Sequence, residues 1–210
     1  LTPERTNRLK EVAYSRQFDL TVVLENVHDP HNLAAVMRTC DAIGVPEIYV
    51  INTDPQIREK GFKPGKKSSA GTRKWVDVHY FEEITPAIEY IRERYEFLWG
   101  TMLGDASYSI YDLDLCSSVA IVFGNEKEGI SEELAGMLDR TIYIPQSGMV
   151  QSLNISVACA VTMYEAYRQR LSSTNKNNDN PGWQKKRELL FQEYIRRHEE
   201  EHSGRAVIRH

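Results

Sequence analysis

The segment Thr141–Arg170, TIYIPQSGMVQSLNISVACAVTMYEAYRQR, decides how the rest of the chain is understood. Its β-branched and aromatic residues from Thr141 to Ile144 predict a strand, Pro145 stops it, and a loop containing Gly148 leads into a long apolar helical pattern. The loop Gln146 to Asn154 sets apolar Met149, Val150 and Leu153 beside the amides and hydroxyl of Gln151, Ser152 and Asn154. Backbone N–H groups left open at a helix start suit a bound ligand. An N-cap at Ser152 or Asn154 accounts for the same residues.

Two further segments share this character. VAIVFGNEKEGISEE, from Val119 to Glu133, is a buried-strand pattern broken by Gly124, followed by Glu126, Gly129 and an acidic helix start. ENVHDPHNLAAVMRTCDAIGV, from Glu25 to Val45, is a strand end, a polar turn and an amphipathic helix. Leu33, Val36, Met37, Cys40 and Ile43 fall at helical spacing and define its buried face, with a cap expected near His31 or Asn32. At about 100° per residue, Arg38 points away from that face, toward solvent or a ligand.

The rest of the chain alternates short apolar strands with helices. Strands are expected at Leu20–Leu24, Glu47–Ile51, Trp75–Phe81 and Phe97–Thr101, with a helix carrying Ile84, Ile88 and Ile91. The fold class is therefore α/β, a mostly parallel sheet with helices on both faces. Such sheets bind ligands beyond the carboxyl ends of their strands, here Thr101, Gly124 and Ile144. Gly100 and Gly104 are placed to let a ligand approach the backbone, although a plain turn uses the same residues.

In order and in content, the three segments resemble the three motifs of the SpoU branch of the SPOUT RNA methyltransferases. These enzymes transfer a methyl group from S-adenosylmethionine to a ribose 2′-hydroxyl, leaving S-adenosylhomocysteine. NVHDPHNLAAVMRTCDAIGV, FGNEKEGISEE and IPQSGMVQSLNISVA are most similar to the group that modifies guanosine 18 of tRNA, and the likeness runs from about Arg5 to Arg170. It implies a deep trefoil knot in the carboxyl-terminal part of the domain, which neither composition nor periodicity reveals.

The resemblance maps Arg38 onto the family's catalytic arginine and Asn32 onto the asparagine that accompanies it. Ser152 and Asn154 would shape the floor of the pocket, and Glu126 would orient a polar neighbour or the substrate, a dipole role at a helix start being the alternative. Thr101, Gly124, Ile144 and Leu153 would line the cofactor pocket. Arg5, Arg8 and Arg16 on a helix predicted over Pro3–Gln17, and Arg168 and Arg170 past the long helix, match positions turned toward tRNA. A symmetric homodimer is implied, pairing one subunit's Arg38 with the other's cofactor, and the nearly all-round apolar helix Ile155–Tyr167 suits it.

Composition sets the limits. The chain has 210 residues, 41% hydrophobic and 27% charged, as expected of a soluble globular protein that buries a full core. No apolar run reaches membrane-spanning length, and the first residues lack a signal-peptide core. Cys40, Cys116 and Cys159 are widely spaced in apolar surroundings, which predicts reduced thiols, no metal site and a cytoplasmic location. The net charge of -4 is low for an RNA binder. Against it, Pro55–Trp75 carries Arg58, Lys60, Lys63, Lys66, Lys67, Arg73 and Lys74 with Glu59 as its one acidic residue, a local +6 suited to a phosphate backbone or to a solvated loop.

The expected organisation is a basic helical extension (1–18), the methyltransferase domain (19–171), a polar linker (172–182) and a helical tail (183–210) whose apolar face is Leu189, Leu190, Tyr194 and Ile195. The brevity of 1–18, where relatives acting on ribosomal RNA carry an RNA-binding domain, favours tRNA as substrate. Ribose methylation of ribosomal RNA and a non-catalytic RNA-binding or assembly role are the alternatives.

Overall fold

The computed structural model describes residues 1–55, 74–150, 152–172 and 181–202. Most of the basic segment from Arg58 to Arg73, and most of the linker, lie outside the described residues. The chain divides into two compact units, Phe18–Thr174 and a second made of Leu1–Gln17 with Asn175–His210.

Phe18–Thr174 is built on a seven-stranded sheet. Its strands are β1 (Leu20–Glu25), β2 (Glu47–Ile51), β3 (Asp77–Phe81), β4 (Phe97–Thr101), β5 (Tyr108–Ser109), β6 (Val119–Phe123) and β7 (Arg140–Tyr143). They lie in the order β3-β2-β1-β6-β4-β7-β5, and every pairing is parallel. β4 and β5 precede β6 and β7 in the chain, yet β6 lies between β1 and β4, and β7 between β4 and β5. All six residues of β1 and all five of β6 are buried; β6 is apolar throughout, and β1 is apolar but for Thr21 and its last residue, Glu25.

Alternate strand residues feed two separate cores. On one face Val22, Leu24, Val50, Ile121 and Phe123 meet Leu33, Met37 and Cys40 of α2 (Pro30–Ile43) and Cys159 and Met163 of α5 (Ile155–Ser172). On the other, Val23, Tyr49, Ile51 and Val122 meet Ile84, Ala87, Ile88 and Ile91 of α3 (Ile84–Arg92), with Leu134 of the short α4 (Glu132–Ala135). Period 2 in the strands and period 3.6 in the helices produce this two-sided burial.

α2 starts two to three residues earlier than its sequence suggests. Asp29, not His31 or Asn32, is the N-cap, accepting the His31 N–H at 2.8 Å with Pro30 at the first helical position. Asn32 is thereby left unspent on capping. Gly44 closes the helix at φ 87°.

Gly100 serves packing rather than ligand approach. A Cβ there would stand 2.3 Å from Leu138 Cδ1 and 2.8 Å from Ile130 Cδ1, so the space expected for a ligand is filled by the core. Cys40 and Cys159 are fully buried between α2 and α5. Burial, and after it the hydrogen bond with Cys40, push the Cys159 thiol well up, so it stays protonated.

In the second unit α1 (Pro3–Tyr14) packs on α6 (Pro181–His202). α6 turns Phe191, Tyr194, Arg187 and Arg197 inward, while Leu189, expected on its apolar face, is 61% exposed. Arg16 is also inward. It is 1% exposed, donates from Nε to the Tyr194 hydroxyl at 2.9 Å and lies over the same ring. An arginine so enclosed presents nothing to a phosphate backbone, which corrects its expected RNA role.

Candidate active site

β1, β6 and β7 end on the same side of the sheet, and each releases one of the three segments singled out by sequence. From the first turn of α2, Asn32 donates its side-chain N–H to Glu126 Oε1 at 2.6 Å. Asn154, just ahead of α5, donates its own to Asn32 Oδ1 at 3.2 Å. Three polar side chains from three distant segments thus form one chain of hydrogen bonds. The amide orientations are self-consistent, because the only acceptor on Asn32 faces a donor and its donor faces a carboxylate.

Asn154 does two jobs. Its Oδ1 accepts the Ser156 N–H at 2.9 Å and the Ser156 hydroxyl at 2.6 Å, and its carbonyl accepts from Val157 and Ala158. It is the N-cap of α5, and its amide N–H remains free for Asn32. Ser152 is exposed and makes no hydrogen bond with a described residue.

Arg38 is not part of this group within one chain. It is exposed and has no hydrogen bond or ion pair with any described residue. Six residues along the same helix, it lies about 9 Å from Asn32 along the axis and roughly 120° round it. The guanidinium is held out with all its donors open.

Of the residues expected to line a cofactor pocket, Thr101, Gly124 and Ile144 end the neighbouring strands β4, β6 and β7, and Leu153 is half-buried ahead of α5. Thr101 donates its hydroxyl to the Val122 carbonyl at 3.1 Å, and Met102 N–H reaches the Ile142 carbonyl at 2.9 Å, so these ends are rigid. Exposed Leu103, Met149 and Val150 stand on the same loops. Apolar side chains beside strand-end backbone groups fit a group with a flat apolar face and polar edges, such as an adenosyl ring, with the backbone groups left to meet its polar atoms. Gly124 answers to something else: a Cβ there would meet the Gly129 backbone at 2.1 Å, so its absence serves the turn itself.

That turn is closed by an antiparallel bridge between Asn125 and Gly129, with Gly129 at φ 72°. Asn125 Oδ1 accepts the Lys127 N–H at 2.7 Å and the Glu128 N–H at 3.2 Å, and its Nδ2 donates to the Asn26 carbonyl at 2.8 Å. Asn26 stands at φ 49°, and its Oδ1 accepts from Thr53 and Asp54 N–H. Glu25, 1% exposed, takes the Ser131 N–H at 2.9 Å and the Ser131 hydroxyl at 2.5 Å. Sequence reasoning passed over Glu25, Asn26, Asn125 and Ser131. An acid ending a wholly buried strand, followed by an asparagine able to turn left-handed, was the signal.

The expected RNA-binding arginines separate into two kinds. Arg5 and Arg8 are exposed on α1, with Arg8 paired to Glu11 at 3.2 Å, and Arg168 is exposed while gripping Glu165 through two bonds at 2.9 and 2.8 Å. Arg170 is taken up inside the fold instead. It donates to the carbonyls of Leu115, Ser117 and Asp19 and to the Asp19 carboxylate, fastening α5 to the starts of β1 and β6. Its expected RNA role is corrected for the same reason as that of Arg16. Among the described residues, no three His, Cys, Asp or Glu side chains are grouped to hold a metal ion, and no helix is long and apolar enough to cross a membrane.

Residues 19–164 match the SpoU rRNA Methylase family, and the chain belongs to that family. Among its relatives, the tRNA (guanosine(18)-2′-O)-methyltransferase of Thermus thermophilus is 42% identical over 172 residues, covering 82% of this chain and 86% of that protein. The enzyme of the same name from Escherichia coli K12 is 38% identical, covering 81% of this chain and 72% of that one. In solved structures, the TrmH/SpoU tRNA modifying enzyme of Aquifex aeolicus superposes with a TM-score of 0.76 at 31% identity, over 92% of this chain and 96% of the other. The SpoU methyltransferase AviRb of Streptomyces viridochromogenes, in complex with AdoMet, matches with a TM-score of 0.65 at 25% identity, over 75% and 60%.

Proposed function

We propose that this protein transfers a methyl group from S-adenosylmethionine to the ribose 2′-hydroxyl of guanosine 18 in tRNA. The observation that carries the reading is the Asn154–Asn32–Glu126 hydrogen-bond chain at the strand ends of a family member. The names of its relatives supply the substrate.

Thr101, Ile144 and Leu153 hold the cofactor through strand-end backbone groups and apolar contact. When bound, it supplies an activated methyl group, so the protein's task is to place the ribose oxygen in line and ease the loss of its proton. Asn32, fixed between a carboxylate and an amide, keeps the floor of the site rigid, and Ser152 and Asn154 complete it. Arg38 stabilises the developing alkoxide with its open fork, since a guanidinium is too weak an acid to give up a proton readily. Phosphate or water takes the proton.

Arg38 faces away from its own Asn32, and a partner subunit is the natural recipient. Val157 and Tyr164 of α5, 47% and 51% exposed, give the homodimer its apolar contact. The placement of β6 and β7 between strands formed earlier in the chain supports a trefoil knot, in which the last segment passes under a loop already laid down. Arg5, Arg8 and Arg168 face tRNA, and the enzyme works in the cytoplasm.

The test is transfer of labelled methyl from S-adenosylmethionine to an unmodified tRNA transcript. Incorporation is expected, and it should vanish when position 18 carries 2′-deoxyguanosine. No incorporation, or incorporation that survives that replacement, would overturn the assignment.

A further inference from the structure

Glu126 sits on an exposed turn, yet its contact with Asn32 needs an accuracy of a few tenths of an ångström. The turn cannot supply that accuracy through its own bridge between Asn125 and Gly129, which fixes its shape and not its place. Its place is set from the end of β1. Asn26 takes the entrance of the turn, accepting from Asn125 Nδ2 at 2.8 Å. Glu25, the residue before it, takes the exit, accepting from both the backbone and the hydroxyl of Ser131. Asn26 is itself secured to the end of β2 by Thr53 and Asp54, and its left-handed backbone keeps a side chain and a carbonyl engaged with different neighbours.

We infer that Glu25, Asn26, Asn125 and Ser131 are positioning residues for methyl transfer, a two-point clamp that sets Glu126 against Asn32. The inference rests on the function proposed above. The clamp touches neither the donor nor the acceptor ribose, and it acts through Glu126. Its strongest bond is buried: Glu25 is 1% exposed, and Ser131 N–H and hydroxyl donate to its two carboxylate oxygens. Losing one side of the clamp should let the turn drift without melting it.

Asn125→Asp isolates the effect. The new side chain keeps an oxygen for the Lys127 and Glu128 N–H groups, so the turn retains its internal bonds, but it loses the donor to the Asn26 carbonyl. Expected is a drop in kcat of about tenfold to a hundredfold, the usual scale for a misplaced catalytic group. KM for tRNA, affinity for S-adenosylhomocysteine by calorimetry and melting temperature should stay near wild type. Ser131→Ala removes the hydroxyl bond to Glu25 while keeping the backbone one, and should lower kcat in the same direction with KM and S-adenosylhomocysteine affinity near wild type. Because Ser131 also caps α4, a small drop in melting temperature is expected with it, and the inference stays testable if Asn125→Asp fails to fold.

Wild-type kcat in either folded variant, or a loss of kcat matched by equal losses in cofactor affinity, would overturn the clamp while leaving the activity standing. Absence of transfer by the wild-type protein would overturn both readings together.

Discussion

Asn32 Nδ2 lies 2.6 Å from Glu126 Oε1, although the two residues are 94 positions apart. An amide is the side chain that can face a carboxylate on one side and another amide on the other. Asn32→Asp would instead set two carboxylates in contact, and one of them would hold a proton at neutral pH only at a cost. We expect kcat to fall by about tenfold or more at pH 8 and to recover in part as pH is lowered and the pair shares a proton. A kcat–pH profile of the variant parallel to that of wild type would refute this.

Arg38→Ala should abolish transfer and leave S-adenosylhomocysteine affinity within a few-fold of wild type, since the side chain is exposed and makes no hydrogen bond with any described residue. Action across the proposed dimer can be separated from action within one chain. Re-paired mixtures of Arg38→Ala and Asn154→Ala, each inactive alone, should regain about a quarter of the wild-type rate. If Arg38 served its own subunit, no mixed dimer would hold an intact site and the mixture would stay inactive.

Arg168 and Arg170 are two residues apart and should behave oppositely. Arg170→Ala leaves the Asp19 carboxylate and three carbonyls without their donor, and we expect a loss of about 3 kcal/mol or more in urea unfolding. Arg168→Ala gives up a pair whose arginine is exposed and whose Glu165 keeps the Gln169 donor, a smaller loss than that of Arg170, but it should lower the salt dependence of tRNA binding by about one in slope. Equal unfolding curves for the two variants would contradict this division.

Acid should weaken the fold through Glu47. Its carboxylate accepts from His79 at 2.9 Å, the Tyr49 hydroxyl at 2.8 Å and the Tyr95 hydroxyl at 3.1 Å. Burial raises this group, but the bonds from His79 and Tyr49 outweigh it and hold the carboxyl below its ordinary value. A carboxyl lowered by folding contributes stability above its unfolded pKa, and loses it as pH falls through the folded one. Glu47→Gln should therefore be less stable than wild type at pH 7 by about 1–3 kcal/mol. The gap should narrow below about pH 4, as urea titrations at the two values would reveal.

Much of this molecule was legible in the linear chain because burial leaves a local trace. Val22–Leu24 and Val119–Phe123 are covered on both faces and so are apolar on both, and the Leu33–Ile43 spacing is that of one helix face. Asn32, Glu126 and Asn154 were chosen from motif resemblance, and the fold brings them into one hydrogen-bond chain. The two-residue strand Tyr108–Ser109 went unseen because it is too short for any period.

What the sequence by itself determined was the alternation of strands and helices, the parallel class of the sheet and the three segments that build the site. These depend on side-chain periodicity and turn chemistry, which are properties of neighbours along the chain. Only the tertiary structure decided which polar residues are spent internally. Arg16 and Arg170 carry the same charge as Arg38, but a tyrosine ring and a set of carbonyls from distant segments consume the first two and leave the third open. Asn26 and Asn125 likewise acquire their roles from a partner 99 residues away. A hydrogen bond needs two groups to meet in space, and one sequence position does not specify the other.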